Sequence, residues 1–180
     1  MAQSTPLLDA RQMRRVLRRM AGEIIERNRD LRELVLVGIR TRGVPMAELF
    51  AADIERLEGI KVPIGHLDIT MYRDDLSAIS PQPVVKETWL PEPIDDRTVV
   101  LCDDVLFTGR TIRAALDALM DYGRPRAVQL VTLIDRGHRE LPIQADVVGR
   151  KVTTKPGELV KVSFEDLDGE NKVEIVEGGA

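Results

Sequence analysis

The stretch Val99-Val-Leu-Cys-Asp-Asp-Val-Leu-Phe-Thr-Gly-Arg-Thr111 decides the fold. Its first four residues are apolar and predict a buried strand of a parallel sheet. An acidic pair, Asp103 and Asp104, follows this apolar run, and a short apolar bridge leads to a loop of Thr and Gly. A helix is predicted next, with Gly123 as its stop. Its apolar face carries Ile112, Ala115, Leu116 and Leu119.

This order of strand, acidic pair, loop and helix predicts a binding site. Backbone N–H groups of a Thr- and Gly-rich loop at a helix start converge on an anion, and the helix dipole favours it. Two carboxylates at the strand end suit neighbouring hydroxyls, so the pattern indicates a ribose 5-phosphate. The acidic pair alone is equally compatible with a solvated turn. The loop matches neither the Walker A pattern nor Gly-x-Gly-x-x-Gly.

Length and composition predict one soluble globular domain. The chain has 180 residues, of which 43% are hydrophobic and 31% charged, and a net charge of -4. This charge gives no global argument for nucleic acid, so any such role requires a local patch. Cys102 is the only cysteine, is expected to be an apolar filler, and fits a cytoplasmic location. Neither a signal peptide nor a membrane-spanning run is recognisable.

The first predicted helix is basic on one side. Asp9 can cap it, and Met13, Leu17, Met20 and Ile24 follow helical spacing on a buried face. A charged face is usually only solvated, although arginines concentrated in an acidic chain also suit an anion or RNA surface. The arginines of this face are Arg11, Arg14, Arg15, Arg18 and Arg19.

A second strand–loop–helix unit carries arginines in its loop. Residues 33–39 predict a buried strand, and Pro45 opens the next helix. Between them lies Arg40-Thr41-Arg42-Gly43. Arginine forks bind phosphate oxygens bidentately, and Gly43 lets the backbone approach a ligand, so a diphosphate group fits this loop.

The third strand is predicted over residues 62–69 and precedes a long irregular segment. His66, within this strand, is expected to be a core or sheet-face residue. The segment of about residues 70–93 contains four prolines and starts with Tyr72-Arg73-Asp74-Asp75. Long irregular segments in compact domains tend to be lids, so we predict a flexible arm that closes over the reacting centre.

The remaining pattern completes an α/β fold. Strands are predicted at 127–134 and 145–148, and a small terminal hairpin at 160–164 and 173–176. Alternating strands and helices favour a parallel central sheet flanked by helices, in a single domain over residues 1–180.

Four segments together resemble the pyrimidine operon regulator (PyrR) family of type I phosphoribosyltransferases. They are Gly-Ile-Arg-Thr-Arg-Gly, Asp-Ile-Thr-Met-Tyr-Arg-Asp-Asp-Leu, the stretch quoted first, and Asp-Arg-Gly-His-Arg-Glu-Leu-Pro-Ile. The resemblance spans Asp9 to about Glu177 and implies the type I phosphoribosyltransferase fold with a flexible arm and a small hood. It also implies that uracil and 5-phosphoribosyl-1-diphosphate (PRPP) give UMP and diphosphate, with Mg²⁺ carried by PRPP and no metal held directly by the protein.

The resemblance assigns roles by matching motif. Asp103, Asp104 and Arg73 would be catalytic, Tyr72 and Asp74 would belong to the arm, and Arg136 and Val160 would lie near the base. The PRPP or nucleotide site would comprise Thr41, Arg42, Gly43, Lys86, Val105, Leu106, Phe107, Thr108, Gly109, Arg110 and Thr111.

The family also regulates pyrimidine genes through UMP-dependent binding of leader mRNA, and its members form dimers and tetramers. Arg18 and Gly22 stand where many regulators have Thr and His, so the resemblance is weakest for RNA. An RNA-binding regulator with incidental turnover, or a phosphoribosyltransferase for another base, remain alternatives. The residues expected to contact RNA are Arg14, Arg15, Arg18, Arg19, Arg27, His138, Arg139 and Arg150; Arg136 and Lys151 are expected to join the same surface.

Overall fold

The computed structural model describes residues 4–75 and 85–178. The helices are α1 (Ala10–Arg27), α2 (Gly43–Glu58), α3 (Arg110–Met120) and the short α4 (Glu165–Asp168). The strands are β1 (Ser4–Leu8), β2 (Leu34–Ile39), β3 (Ile64–Leu67), β4 (Thr98–Leu106), β5 (Ala127–Asp135), β6 (Val147–Lys151), β7 (Glu158–Ser163) and β8 (Lys172–Glu177). None of these helices has the length and apolar character needed to cross a bilayer.

A five-stranded parallel sheet forms the centre of the fold, as the sequence predicted. Its strand order is β3-β2-β4-β5-β6, and every neighbouring pair is parallel. β2 is buried along its whole length, and β4 is buried from Thr98 to Asp103. Both strands are therefore almost continuously apolar, because helices cover both faces of a parallel sheet.

The two faces of the sheet carry separate hydrophobic cores. On one face α1 and α2 pack with Leu36, Val100 and Cys102, and on the other α3 packs with Val37 and Leu101. Cys102 is fully buried, and burial raises the pKa of its thiol, so its predicted role as an apolar filler is confirmed. At the start of α1, Asp9 forms the predicted cap: its side chain accepts from the Gln12 backbone N–H at 2.7 Å.

A second, antiparallel sheet forms the hood above the carboxyl ends of the parallel strands. Its order is β1-β8-β7. The predicted terminal hairpin is β7 and β8, joined through α4. β1 was not predicted, because five residues that include Pro6 have too little alternation to indicate a strand; it is recognisable only once it pairs with β8.

Several boundaries differ from those predicted. β4 continues to Leu106, so the acidic pair lies inside the strand rather than after it, since β5 remains hydrogen-bonded along this extension. β6 spans Val147–Lys151 instead of 145–148. The single domain and the flexible arm remain predictions, and residues 76–84 of that arm lie outside the described residues.

Candidate active site

The acidic pair lies at the carboxyl end of β4. Asp103 is 7% exposed, and its Oδ1 accepts the Asp104 N–H at 3.0 Å. Asp104 Oδ1 accepts the Val105 N–H at 2.9 Å. Both side chains line one cleft of about 200 Å³, so the pair is not a solvated turn.

Burial raises the pKa of both carboxyl groups of the pair. Desolvation raises the pKa of Asp103 well above its ordinary value, and the charge of Asp104 raises it further. Desolvation also raises the pKa of Asp104, and the charge of Arg42 opposes that shift. A cationic ligand or a donor of hydrogen bonds would favour the charged forms, so the cleft is suited to such a group.

The predicted anion loop lies beside this pair, at the start of α3. Gly109 is in the left-handed conformation with φ 94°, and no side chain caps the helix. The Arg110 N–H donates to Thr108 Oγ1 at 3.3 Å. The Gly109, Thr111 and Ile112 N–H groups have no partner within residues 4–75 and 85–178. Unpaired N–H groups at a helix N-terminus form a phosphate site.

A second cleft of about 280 Å³ adjoins the first. Arg73 and Thr111 line both clefts, and Phe107, Thr108 and Arg110 line only the second. The structure thus brings the anion loop, the acidic pair and the Arg-Thr-Arg loop together. Leu106, in contrast, is 1% exposed and packs in the core, because β4 alternates its side chains; only its backbone faces the site, where Leu106 O accepts the Arg136 N–H. Val105 also packs against the core.

The Arg-Thr-Arg-Gly loop connects β2 to α2. Arg40, Thr41 and Arg42 line the cleft of the acidic pair. Gly43 is required by packing, since a Cβ at this position would lie 2.1 Å from Cys102 O. Gly43 therefore allows the loop to pack closely against β4, and its approach to a ligand remains a prediction. The Arg42 guanidinium donates to the hood, at Val162 O and Asp168.

Asp68 was not predicted as a site residue. Its side chain accepts hydrogen bonds from the backbone at both ends of the arm. Its Oδ1 accepts from the Thr70 N–H at 2.8 Å, and its Oδ2 accepts from the Lys86 N–H. These hydrogen bonds lower its pKa although burial opposes the shift. In the sequence, only its position at the start of the Asp-Ile-Thr-Met-Tyr-Arg-Asp-Asp motif could have identified Asp68 as a site residue. Lys86 Nζ also lies 3.4 Å from Thr41 Oγ1.

The residues at the start of the arm contact the anion loop. Arg110 donates to Asp74 Oδ2 at 2.7 Å and to Glu140 Oε2 at 2.6 Å. Arg73 forms a two-pronged pair with Asp75, at 2.9 and 2.8 Å. The Tyr72 hydroxyl donates to Asp121 on α3. The start of the arm is therefore anchored to α3 and its N-terminal loop.

Arg136 and Phe107 form an aromatic and cationic end of the site. The Arg136 guanidinium lies 4.0 Å from the Phe107 ring centroid, and the His138 ring meets Phe107 edge-on at 5.9 Å. Arg136 is 6% exposed and donates to Glu158 O at 2.6 Å. Val160, predicted near the base, is half-buried in β7 and packs against the core.

Three arginines predicted to belong to the open basic surface are instead paired with groups inside the protein. Arg14 pairs at 3.0 Å with Asp53, which is 1% exposed, so it neutralises a buried carboxylate. Arg136 is buried, and Arg139 pairs with Asp135 at 2.7 Å and donates to Phe107 O. These three were expected on an open basic surface, and their guanidinium groups instead satisfy internal acceptors.

The rest of the basic surface keeps its cations near the exterior. Arg15 and Arg18 are exposed on α1 and have no hydrogen bond or ion pair among the described residues. Arg19 donates to Gly149 O at 2.5 Å, which places it beside β6 and Arg150. Arg150 donates to Leu7 O at 2.8 Å. Arg27 lies 3.9 Å from Asp146, and His138 Nε2 lies 3.0 Å from Thr154 O.

The donor set suits a metal ion brought by a substrate. No cluster of three or more metal-ligating side chains occurs within the described ranges. Asp103 and Asp104 nevertheless offer carboxylate oxygens to the same cleft. Mg²⁺ commonly uses one or two carboxylates together with substrate phosphates, so these residues fit it.

Comparison with known proteins identifies the family. Residues 3–166 match the model of the phosphoribosyl transferase domain. A relative from Chloroflexus aurantiacus named bifunctional protein PyrR is 56% identical over 180 residues, covering all of this chain and 99% of the relative. The chain belongs to the PyrR family. The PyrR of Clostridioides difficile is 53% identical and covers 98% of this chain, with all of that relative matched.

Solved structures agree on the fold. The hypoxanthine phosphoribosyltransferase of Trypanosoma cruzi aligns with a TM-score of 0.72 at 18% identity, over 97% of this chain and 95% of that one. The corresponding enzyme of Staphylococcus aureus gives 0.69 at 20% identity, over 94% and 90%. The predicted type I phosphoribosyltransferase fold is confirmed. The match to the phosphoribosyl transferase domain and to the PyrR relatives makes this family member a transferase.

Proposed function

We propose that the protein transfers the 5-phosphoribosyl group of PRPP to uracil, giving UMP and diphosphate. The observation that carries this proposal is one site in which an acidic pair lies between an anion loop and an arginine loop. Asp103 and Asp104 would bind the two ribose hydroxyls, and the loop from Thr108 to Thr111 would bind the 5-phosphate. The Arg-Thr-Arg loop would bind the diphosphate.

The reaction requires positioning and charge rather than a covalent intermediate. The bond from the ribose C1 carbon to diphosphate breaks, a bond to a uracil nitrogen forms, and the ribose becomes cationic in between. The two carboxylates would stabilise that cation, and the arginines the departing diphosphate. Mg²⁺ bound with PRPP, next to Asp103 and Asp104, would neutralise charge on the leaving group. Closure of the arm would exclude water.

Uracil is proposed as the base because of the family. Relatives named PyrR cover almost the whole chain at 53–56% identity, whereas the purine enzymes are only 18–20% identical. Phe107, with the Arg136 guanidinium on its ring, supplies an aromatic face to the second cleft, where a base would bind. Phe107 is 40% exposed, so part of its surface is accessible to a base.

A second function is favoured by the exposed arginines of α1. The relatives are named bifunctional, and Arg15 and Arg18 have no internal partner among the described residues. We therefore propose that the protein, acting in the cytoplasm as a dimer or tetramer, also binds pyrimidine leader mRNA in response to UMP. Two copies of such a patch beside a two-fold axis would form a continuous surface.

Direct observation of the products tests the enzymatic proposal. We expect uracil and PRPP to give UMP and diphosphate in equal amounts, and chelation of Mg²⁺ to stop the reaction. The two products are measured by chromatography and by a coupled diphosphate assay. Formation of diphosphate without UMP would indicate hydrolysis of PRPP and would contradict transfer to uracil.

Arg42→Ala is expected to impair the use of PRPP. Loss of one charge-assisted contact costs about 1.5–3 kcal/mol, which corresponds to roughly a 10- to 100-fold fall in kcat/KM for PRPP. The KM for uracil should change by less than about twofold, because Arg42 lines the cleft of the acidic pair whereas Phe107 lines the adjoining cleft. Steady-state kinetics with each substrate varied provides the measurement, and an effect confined to uracil would contradict the diphosphate role.

A further inference from the structure

The hood holds the arginine of the diphosphate loop at two points. Arg42 Nε donates to Val162 O at 2.7 Å, and Arg42 Nη2 donates to Asp168 Oδ1 at 2.8 Å. Val162 lies in β7, and Asp168 is the last residue of α4. The guanidinium therefore links the loop between β2 and α2 to the hood.

The carboxylate of Asp168 is held in place and charged for its contact with Arg42. Its side chain is only 22% exposed, and its Oδ2 accepts the Phe164 N–H at 2.9 Å. The Phe164 hydrogen bond and the charge of Arg42 lower the pKa of Asp168, so the carboxylate is charged at neutral pH. Both oxygens are thus fixed, one by its own turn and the other by Arg42.

Arg42 also lies near a second carboxylate, that of Asp104. Arg42 and Asp104 line the same cleft, where the positive charge of Arg42 opposes the rise that burial causes in the pKa of Asp104. Without a partner in the hood, the guanidinium would be drawn toward Asp104, in the place where a ribose would bind. Asp168 and Val162 O compete with that attraction and keep Asp104 available to a ligand.

We infer that Asp168 is a positioning residue for PRPP, acting by holding Arg42 at the diphosphate end of the cleft. This inference rests on the proposed function. The strand β7, which contacts Arg42 through Val162 O, also contacts the other end of the site, since Glu158 O accepts from Arg136. β7 therefore contacts the arginine of each end, and Asp168 adds a charged contact only at the diphosphate end.

The experiment compares Asp168→Asn with Glu170→Gln. Glu170 lies just beyond the same turn, pairs with Lys172 and does not contact Arg42, so the control removes the same charge. We expect Asp168→Asn to raise the KM for PRPP about tenfold, with less than a twofold change in the KM for uracil. Glu170→Gln should match wild type. In an Arg42→Ala background, Asp168→Asn should have almost no further effect.

Calorimetric titration with magnesium diphosphate gives a readout that does not depend on turnover. Weaker binding by Asp168→Asn than by Glu170→Gln is expected, whereas equal binding would overturn the inference. An undiminished effect of Asp168→Asn in the Arg42→Ala background would also overturn it. If Asp168→Asn does not fold, Asp168→Glu replaces it, with an expected threefold or so rise in KM for PRPP. Absence of turnover in wild type with diphosphate binding retained would instead refute the proposed reaction alone.

Discussion

Asp103→Asn and Asp104→Asn are each expected to lower kcat/KM by roughly 100-fold or more. Each substitution keeps the shape of the side chain and removes a charge that would stabilise a cationic ribose. Both positions lie in the cleft between the anion loop and the arginine loop. Steady-state UMP formation measures the effect, and Asp117→Asn, an exposed carboxylate on α3 that pairs with Arg113, is the matched control.

The same substitution at Asp103 is expected to stabilise the fold at neutral pH. Burial raises the pKa of Asp103, so the folded protein binds its proton more tightly than the unfolded chain does. The contribution of this group to the free energy of unfolding is therefore present at acidic pH, and it is lost as the pH rises through the raised pKa. Asparagine does not ionise and keeps that contribution.

Thermal unfolding as a function of pH measures this effect. The unfolding temperature of Asp103→Asn should exceed that of wild type at about pH 7.5, and the difference should shrink toward about pH 4. Near-normal kcat/KM in both asparagine variants would make the pair a structural feature only. A difference in unfolding temperature that grows toward acidic pH would contradict the raised pKa.

Replacing Arg15 and Arg18 together by Glu is expected to weaken leader-RNA binding by about 100-fold or more at low salt. The two exposed arginines would contact phosphates, and reversal of their charge replaces attraction by repulsion. Arg14 is left unchanged, because glutamate there would face the buried Asp53. Uracil turnover should remain within about twofold of wild type, since neither arginine lines the catalytic cleft.

Filter binding or calorimetry with UMP present provides the RNA measurement. The slope of log affinity against log salt should become shallower by about 1.5 for two lost phosphate contacts. A double reversal of the exposed Lys61 and Arg124, which lie outside α1 and β6, makes the same change in net charge and should bind nearly as well as wild type. If wild type has no affinity for leader RNA at low salt, the arginine face is only solvated. If UMP strengthens RNA binding, RNA must strengthen UMP binding by the same factor.

The sequence predicted the parts of the fold that depend on local pattern. Continuous apolar runs indicated the central strands, and the helical spacing of Met13 and Leu17 indicated the buried face of α1. The order of residues from Val99 to Thr111 also placed the acidic pair and the anion loop on one sheet edge. These features follow from periodicity and from the rule that parallel strands end at the same side of a sheet.

Other features depend on contacts between residues far apart in sequence. The pairing of Arg42 with Asp168 joins positions 126 residues apart, and that of Arg14 with Asp53 joins positions 39 residues apart. No local pattern identifies such partners, so Arg14 was predicted as a solvent-facing cation. β1 likewise requires β8, and the contacts of Asp68 require the arm to return beside β3.

Competition among bases tests the central proposal most directly. Wild-type protein is supplied with PRPP, Mg²⁺ and an equimolar mixture of uracil, hypoxanthine, guanine and orotate, and the nucleotide products are separated. Asp104→Asn, purified in the same way, reports the background from contaminating enzymes. We expect UMP to be formed from uracil as the dominant product by at least about 100-fold, with almost none from the variant. A purine nucleotide or orotidylate formed at an equal or higher rate would contradict the account.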